Sequence, residues 1–376
     1  MNREFYFQLA EKSLQGQALS EETALKILTS SDIELLPLLN AAYEVRKTFC
    51  GKNVNIHIIN NAQNGYCPED CHYCAQAKTS HADIEEYPLK PDAEILAEAK
   101  NAYEKGAFRY CMVFAGRGPS LRRTEHLAKL IREIKSQYPM EVCVSAGLLD
   151  DQKAQMLKNA GLDRLNHNLN TSRENYAKIC STHTYEDRLN TLKAGRRAGI
   201  ELCSGLIIGM GETPQDIIEV AFTLRNIESE SIPVNFLIPI EGTQLNLKKH
   251  TAHLTPEYCL RVLCLYRFLN PKAEIRVAAG REIHLRNMEV LALYPANSLF
   301  LDGYLNTKGA NRHRTLQMIK DAGFIIQSEH SIEELIKNEE SPLEETKTDS
   351  ISKTLMKGLN ELRPQQTSAG KSCNPC

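Results

Sequence analysis

The feature that most constrains the fold of this chain is a repeated plan of one short apolar strand followed by one amphipathic helix. Eight runs rich in β-branched or apolar residues have the length and composition of buried parallel strands, and they cover residues 54–60, 109–115, 141–146, 164–170, 201–209, 231–239, 274–279 and 298–304. Eight strands that alternate with helices predict a closed (β/α)8 barrel of the TIM type, which is an α/β fold. An open, doubly wound sheet is the structural alternative, because strand count alone does not distinguish the two.

The segments between these runs have helical apolar spacing and clear ends. Residues 92–105 carry an apolar stripe and end before Gly106. Residues 213–229 and 255–269 each have Pro at the first helical position, where its missing N–H is tolerated. Further helices are predicted over residues 121–137, 185–198 and 315–322.

The two ends of the chain differ from this repeated middle. Residues 1–50 predict two helices, the second beginning near Ser31, and residues 51–326 carry the barrel. From residue 327 the chain becomes polar and rich in Ser and Thr, which predicts a mobile tail over 327–376. The tail ends in a C-x-x-C motif, Cys373 and Cys376, whose role the sequence does not reveal.

Charge and hydropathy narrow the class of protein. The chain has 45 Lys and Arg residues against 47 Asp and Glu residues, and no long basic block, which argues against nucleic acid as the main partner. The first residues lack the apolar core of a signal peptide, and no apolar run is long enough to cross a bilayer. We therefore expect a cytoplasmic protein without a membrane partner.

Cysteine is the unusual component, with 12 residues in a chain that has no tryptophan. Thiols stay reduced in the cell interior, so a surplus of cysteine favours metal ligands or catalytic thiols over disulfides. Cys180, Cys259 and Cys264 lie in stretches with helical spacing, and we expect these three to be small buried apolar residues.

Three cysteines follow the first predicted strand in a C-P-E-D-C-H-Y-C motif, at Cys67, Cys71 and Cys74. This position is the carboxyl-terminal rim of a barrel, where such folds keep their active sites. Three thiolates can hold three irons of a [4Fe–4S] cluster and leave the fourth iron open to a ligand. Zinc, with His72 or His81 as the fourth ligand, is the alternative.

Cys111, Cys143, Cys203 and Arg276 lie inside predicted strands two, three, five and seven. Small residues mostly follow each of them on the same face, so inward-facing side chains would form a thiol-and-arginine group with space above it. An iron–sulfur cluster would satisfy this group, whereas a buried arginine without an acceptor would be costly. Inert buried cysteines with a carboxylate-paired arginine are the alternative.

Predicted strand four places Asn166, Asn168 and Asn170 on one face, and Asn235 of strand six can join them. Amide side chains both donate and accept hydrogen bonds. This row therefore suits a polar ligand that both donates and accepts hydrogen bonds.

The spacing C-x3-C-x2-C resembles the signature of the radical S-adenosylmethionine (SAM) superfamily, and the surrounding residues resemble the biotin synthase family more closely. The resemblance covers about residues 30–326, and its motifs are Cys67–Cys74, Arg109–Met112, Asn166–Leu169, Cys203–Gly205 and Ala279–Glu282. It implies a [4Fe–4S] cluster on the first three cysteines, with SAM on the open iron. It also implies a [2Fe–2S] cluster on Cys111, Cys143, Cys203 and Arg276.

The same resemblance assigns the polar side chains. It implies SAM contacts for Tyr73, Asn168, Asn170 and Arg188, and dethiobiotin contacts for Asn166, Asn168 and Asn235. Some family members carry Asp where this chain has Asn170, so a neutral amide stands here in place of a carboxylate. Arg188 taken alone would be a solvated charge on a helix surface.

The activity implied is the insertion of sulfur into dethiobiotin to form biotin. The resemblance further implies a homodimer, an external electron donor such as flavodoxin, and iron–sulfur assembly proteins as partners. One alternative is another radical SAM enzyme of similar build, such as an iminoacetate synthase or a hydrogenase-maturation enzyme. A zinc-binding protein without redox chemistry is the alternative from a different class.

Overall fold

The computed structural model describes residues 1–245 and 251–340. Its centre is a barrel of parallel strands that follow one another around the ring in chain order, with one position shared by two short strands, and the strand at residues 298–300 pairs with the first. That closing pair confirms the predicted (β/α)8 barrel and excludes the open sheet. The strands are β1 Asn53–Gln63, β2 Arg109–Phe114, β3 Glu141–Ser145, β4 Arg164–Asn166, β5 Glu201–Cys203, β6 Leu206–Ile208, β7 Ser231–Phe236, β8 Glu274–Val277 and β9 Ser298–Phe300.

The amino-terminal region contains three helices, so the prediction of two was wrong. They are α1 Arg3–Leu14, α2 Glu21–Thr29 and α3 Leu35–Cys50. The Ser20 side chain accepts the backbone N–H of Thr23 and begins α2, a separate start that the sequence analysis merged into a longer element. α3 packs against α1 and against the helix Pro256–Leu269.

A ring of helices surrounds the barrel, and most begin at a side-chain cap. The Thr184 and Thr213 side chains form capping boxes with Asp187 and Asp216. The six helices predicted outside residues 1–50 are present within a few residues, and the other four helices of this ring were not predicted. The ring comprises α4 Asp92–Glu104, α5 Leu121–Gln137, α6 Asp151–Asn159, α7 Arg173–Ile179, α8 Tyr185–Arg197, α9 Pro214–Asn226, α10 Pro256–Leu269, α11 Arg281–His284, a 3-10 helix Arg286–Leu293, and α12 Arg312–Asp321.

The described chain ends with β10, Ile325–Ile326, which pairs with the start of β1, and with α13, Ile332–Glu340. α13 packs on α12 and buries Leu335 and Ile336. Residues 327–340, which we expected to be part of the polar tail, therefore include an ordered helix. The Cys373 and Cys376 motif lies outside the described residues.

The fifth position of the barrel is shared by β5 and β6, which both pair with β7 and are separated by Ser204 and Gly205. The backbone of Asn170 fills the gap, because its N–H donates to Gly205 O at 2.9 Å and its carbonyl accepts from Ile207 at 2.8 Å. A Cβ atom at Gly205 would lie 1.9 Å from Pro233 O, so only glycine fits. The segment that carries Asn166, Asn168 and Asn170 lies beside this close contact and borders the cavity above it.

No helix within residues 1–245 and 251–340 is both long and apolar enough to cross a membrane.

Candidate active site

A cavity of about 390 Å³ opens at the carboxyl ends of the barrel strands. It brings together most of the residues singled out in the sequence, and its lining includes Cys67, Cys71, Tyr73, Cys74, Cys111, Cys143, Asn166, Asn168, Asn170, Arg188, Asn235 and Arg276. Cys203 lies just beneath, where its Sγ contacts Arg276 Nη1 at 3.6 Å and Asn166 Nδ2 at 3.2 Å. One space therefore has the three rim cysteines at its mouth and the strand cysteines at its floor.

The rim loop is held in place by two acidic side chains of its own motif. Asp70 Oδ1 accepts the backbone N–H groups of Ser181 at 2.9 Å and Thr182 at 3.2 Å, and Asp70 Oδ2 accepts the Ser181 hydroxyl. Glu69 Oε2 accepts the Thr182 hydroxyl at 2.6 Å. Residues 180–183 form most of the segment between α7 and α8 and are here called the brace. These hydrogen bonds connect the brace to the cysteine loop.

The hydrogen bonds of the brace keep both acidic groups ionised. Burial raises the pKa of Asp70, but hydrogen bonds from the Ser181 side chain and backbone outweigh it and leave that pKa well below its usual range. Burial likewise raises the pKa of Glu69, and the hydrogen bonds from Thr182 and His183 lower it further than burial raises it. The loop therefore carries two fixed negative charges behind its cysteines.

The pKa values of all three rim thiols are raised in the folded protein. The pKa of Cys71 is raised by its hydrogen bond with Cys180 and by burial. Burial raises the pKa of Cys67 and raises that of Cys74 to about 11. All three would be protonated on their own, and a bound metal would stabilise the thiolates and release the protons. A soft set of three thiolates fits an iron–sulfur cluster with one open iron.

A second arrangement near the rim is not available to a metal. Cys180 Sγ lies 3.8 Å from Cys71 Sγ and 3.2 Å from His183 Nδ1, which are distances compatible with a shared cation. However, Arg188 donates to His183 Nε2 at 3.0 Å, so the ring proton is on Nδ1, which donates to Glu69 at 2.5 Å. Both ring nitrogens are engaged, and the group is a hydrogen-bonded support for Cys71.

Cys180 therefore differs from what the sequence suggested. It lies directly after α7 instead of inside a helix, and its Sγ also donates to Asp70 Oδ1 at 3.2 Å. Cys259 and Cys264 are buried in α10, as predicted. The sequence did contain one signal, because His183 follows Cys180 at a spacing of three residues.

The floor of the cavity joins side chains from several strands of the barrel. Cys111 of β2 and Cys143 of β3 are direct partners in the strand register. The Cys143 thiol hydrogen-bonds to the Cys111 and Cys203 thiols, and these contacts raise its own pKa. The hydrogen bond from Cys143 and the Arg276 guanidinium hold the pKa of Cys203 well below its usual range. Three mutually contacting thiols beside a guanidinium form a soft donor set, which fits iron better than it fits an apolar core.

A polar layer that the sequence analysis missed lies directly beneath these cysteines. His57 of β1 lies 3.9 Å from Cys111 Sγ and 2.9 Å from a carboxylate oxygen of Glu274. Arg109 donates to the same carboxylate at 3.0 Å, and Arg276 donates to it at 2.6 Å. Arg109 and Glu274 stand two residues before Cys111 and Arg276, so the alternation of their strands could have revealed them.

Asn166, Asn168 and Asn170 all line the cavity, but the prediction that they alternate along one strand was wrong, because β4 ends at Asn166 and His167 lines the cavity as well. Asn166 Nδ2 donates to Cys203 Sγ at 3.2 Å, and Asn168 Oδ1 accepts the backbone N–H of Gly205 at 3.1 Å. Asn170 Nδ2 donates to the Tyr73 hydroxyl at 2.6 Å, and its backbone has a φ of 69°. Asparagine tolerates this left-handed conformation better than most residues.

The remaining predicted wall residues differ in how much capacity they keep for a ligand. The Asn235 amide is engaged on both sides, because Nδ2 donates to Leu206 O at 3.0 Å and Oδ1 accepts from Ala279 N at 3.2 Å. Arg188 is buried instead of solvated, and it donates to Asn168 O at 2.8 Å. His167 was not singled out in the sequence, yet it lines the cavity and its Nε2 is buried without a hydrogen-bond partner among the described residues.

Comparison with known sequences gives two family matches that together cover most of the barrel. Residues 64–224 match the radical SAM superfamily, and residues 233–325 match the biotin and thiamin synthesis associated domain. The chain is 58% identical to a biotin synthase of Magnetococcus marinus, over 85% of this chain and 98% of that protein. It is 55% identical to a biotin synthase of Acaryochloris marina, over 84% of this chain and 91% of that protein.

Solved structures share the fold at much lower sequence identity. The crystal structure of methylornithine synthase matches with a TM-score of 0.72 and 19% identity, over 84% of this chain and 96% of that one. An FeFe-hydrogenase maturase from Carboxydothermus hydrogenoformans matches with a TM-score of 0.71 and 19% identity, over 88% of this chain and 81% of that one. At this identity the likeness concerns the fold alone.

Proposed function

The chain belongs to the biotin synthase family, and from this premise we propose how its residues serve the conversion of dethiobiotin to biotin. The protein is a radical SAM sulfurtransferase, and its cofactors are SAM, a [4Fe–4S] cluster and a [2Fe–2S] cluster. Family membership sets aside the two alternatives left open by the sequence, which were another radical SAM enzyme and a zinc-binding protein without redox chemistry.

The observation that carries the residue assignments is the single cavity with thiols at both ends. Cys67, Cys71 and Cys74 line its mouth, and Cys111 and Cys143 line its floor. A substrate held between them would lie within reach of both groups at once, with no passage through solvent. Enclosure of this kind protects a reactive species from side reactions with water.

We assign the rim cysteines to the [4Fe–4S] cluster and the floor set to the [2Fe–2S] cluster. The rim set is three thiols that need a cation to ionise, on a loop whose shape is fixed by Asp70 and the brace. The floor set is three thiols and Arg276, which are buried together. When bound, SAM and the clusters supply the radical that breaks an unactivated C–H bond and the sulfur that replaces its hydrogen, chemistry beyond any side-chain acid or base.

The side chains between the two groups bind and orient. Arg188 is a buried cation on the wall, which suits the SAM carboxylate. Tyr73 and Asn170, joined by a hydrogen bond, suit the ribose hydroxyls. Asn166 and Asn168 offer amides to the urea ring of dethiobiotin, and Asn235 takes part through the lone pair and N–H that its backbone contacts leave over.

We also propose partners for this site. The reaction needs electrons from outside, so an external one-electron donor such as flavodoxin is expected, together with iron–sulfur assembly proteins that install and restore the clusters. We propose a homodimer, which light scattering coupled to gel filtration tests directly. A cytoplasmic location would keep the cysteines reduced and available to iron.

The deciding experiment is anaerobic reconstitution of the full chain with iron and sulfide, followed by an assay with SAM, dethiobiotin and a one-electron reductant. We expect visible absorption from both clusters, 5′-deoxyadenosine release and biotin formation. Bound iron with 5′-deoxyadenosine release but no biotin, in a preparation with both clusters intact, would contradict the floor assignment.

A further inference from the structure

Beneath the floor of the cavity lies a buried carboxylate that the roles assigned above do not use. Glu274 begins β8, two residues before Arg276, and only 7% of it is exposed. Its oxygens accept hydrogen bonds from Asn55 at 2.9 Å, Ser231 at 2.9 Å, Arg109 at 3.0 and 3.1 Å, and Arg276 at 2.6 Å. A carboxylate bonded to this many donors is fixed in position and ionised.

These contacts give the Arg276 guanidinium a held side and an open side. Its Nε donates to Ser298 Oγ at 2.9 Å, and its Nη2 donates to Glu274 at 2.6 Å and to Ser231 Oγ at 2.9 Å. Within the described part of the chain, the hydrogen bond of Nη1 is to Cys203 Sγ, at 3.6 Å. Nη1 is therefore the nitrogen turned toward the thiols, because the other two are engaged with oxygens below.

The same carboxylate also contacts β1, two strands away around the barrel, through His57. The His57 Nε2 atom lies 2.9 Å from Glu274 Oε1, and its Nδ1 atom lies 3.9 Å from Cys111 Sγ. Glu274 thus contacts Arg276 directly and is one residue removed from Cys111. Two of the four floor side chains, on strands far apart in the sequence, share one anchor.

Glu274 also lies between the active-site cavity and a second, polar cavity. Together with Arg109 it lines a polar cavity of about 460 Å³ at the amino-terminal end of the strands, opposite the mouth of the active site. The carboxylate balances the charges of Arg109 and Arg276, which would otherwise repel each other in a space with little solvent. Its loss would free Arg276 and let water approach the floor from below.

We propose that Glu274 is a positioning residue for the [2Fe–2S] cluster: it holds Nη2 of Arg276 so that Nη1 faces the cluster, and it seals the floor beneath. This inference rests on the function proposed above. Outer partners that fix a ligand's orientation commonly change metal affinity 10- to 100-fold when they are lost. A negative charge at this distance also opposes reduction of a cluster, so its removal shifts the midpoint potential upward.

The test compares Glu274→Gln with Glu141→Gln in the anaerobically reconstituted full chain. Glu141 is a matched control, because it accepts a hydrogen bond from Arg109 Nε at 2.7 Å but lies on the outer side of that guanidinium. The measurements are the rate at which a chelator removes the [2Fe–2S] absorption and the midpoint potential of that cluster. We expect Glu274→Gln to lose the cluster about 10- to 100-fold faster than the parent, with a higher potential, and Glu141→Gln to stay close to the parent.

Equal release rates and potentials in the two Gln variants would overturn the proposal. Should Glu274→Gln fail to fold, Glu274→Asp carries the test, because it keeps the charge and shortens the reach: release should accelerate while the potential stays near the parent value. A parent-like release rate in Glu274→Asp would equally overturn the role. A parent protein that binds no [2Fe–2S] cluster would instead refute the function proposed above.

Discussion

The rim and the floor of one cavity hold cysteines in opposite ways. The rim takes all three from a single loop, residues 67–74, and two of these thiols are half-buried. The floor takes four side chains from four strands, and Cys111, Cys143, Cys203 and Arg276 are exposed by 7%, 1%, 1% and 2%. One site is local in sequence and open, whereas the other is dispersed and enclosed.

The difference shows what each site depends on. The rim loop can place its three thiols near one another without the barrel, but it needs the brace to keep its shape. The floor set exists only when the barrel closes, because its members meet through the strand register. A local change in the loop or the brace should therefore disrupt the rim cluster, whereas loss of one ligand should disrupt the floor cluster. Each cluster should be lost without loss of the other.

The largest effect is expected from Cys71→Ser, since a hydroxyl is a poor replacement for a thiolate on iron. This variant should lose the rim cluster, the cleavage of SAM and all biotin formation, while the [2Fe–2S] absorption remains. The assay is 5′-deoxyadenosine release beside the visible spectrum. Cys50→Ser, at a half-buried thiol outside this cavity, is the control. Normal 5′-deoxyadenosine production by Cys71→Ser would contradict the rim assignment.

Cys143→Ala should be nearly as severe but selective. Cys143 is the central thiol of the floor, bonded to both neighbouring cysteines, so its removal should destroy the [2Fe–2S] cluster and abolish biotin. Some SAM cleavage should persist because the rim thiols are untouched. Biotin formed at the parent rate would mean that the buried cysteines are core packing and that sulfur comes from elsewhere.

An intermediate effect is expected from Asp70→Asn, which weakens the contacts with the brace and leaves the three rim cysteines in place. Loss of hydrogen bonds to a charged acceptor should cost about 1–3 kcal/mol in the free energy of unfolding. Rim iron should be removed by a chelator about 10- to 100-fold faster, with floor iron unchanged. Asp187→Asn, which removes a helix cap from α8, should cost similar stability and leave rim iron in place.

The pH dependence of that difference has a definite sign. The pKa of Asp70 is lower in the folded protein than in an unfolded chain, so its contribution to stability is present above the unfolded value of about 3.9. The contribution is lost as pH falls through the folded value. Parent and Asp70→Asn should therefore differ most near neutral pH and converge in strong acid, as chemical unfolding at several pH values would reveal.

The smallest effect is expected from removing residues 341–376, which lie outside the described residues. We predict a labile, non-catalytic role for the terminal Cys373 and Cys376, so the truncated protein should complete one turnover to biotin as the parent does. Single-turnover biotin yield is the measurement. Its complete loss in a truncation that folds and retains iron would mean that the tail completes the site.

Sequence periodicity was enough to predict the barrel and the floor, since strand alternation decides which side chains face inward. It could not show that Arg188 is buried or that Cys180 meets Asp70. Those contacts join residues more than 100 positions apart in the case of Cys180, and no local pattern encodes them. The rim motif identifies its three cysteines, but nothing local in it shows that Glu69 and Asp70 hydrogen-bond to residues 180–183.

The amino-terminal helices and α13 were misjudged for a different reason. Both lie outside the repeated plan, so their boundaries depend on caps and short apolar stripes. The cap at Ser20 and the buried Leu335 are weak signals of this kind. Packing against the barrel decides such elements, and propensity alone is a poor guide to them.

The contact between Gly205 and the Pro233 carbonyl has a consequence for protein engineering. Attempts to widen the substrate range would naturally begin with Asn166 and Asn168, whose amides border the cavity. The backbone that carries them is positioned by contacts at Gly205, between β5 and β6. One added carbon at Gly205 would collide with the neighbouring strand. A mutational library should therefore keep glycine at position 205, because substitutions there would give misfolded proteins. Asn166 and Asn168 are the positions to vary.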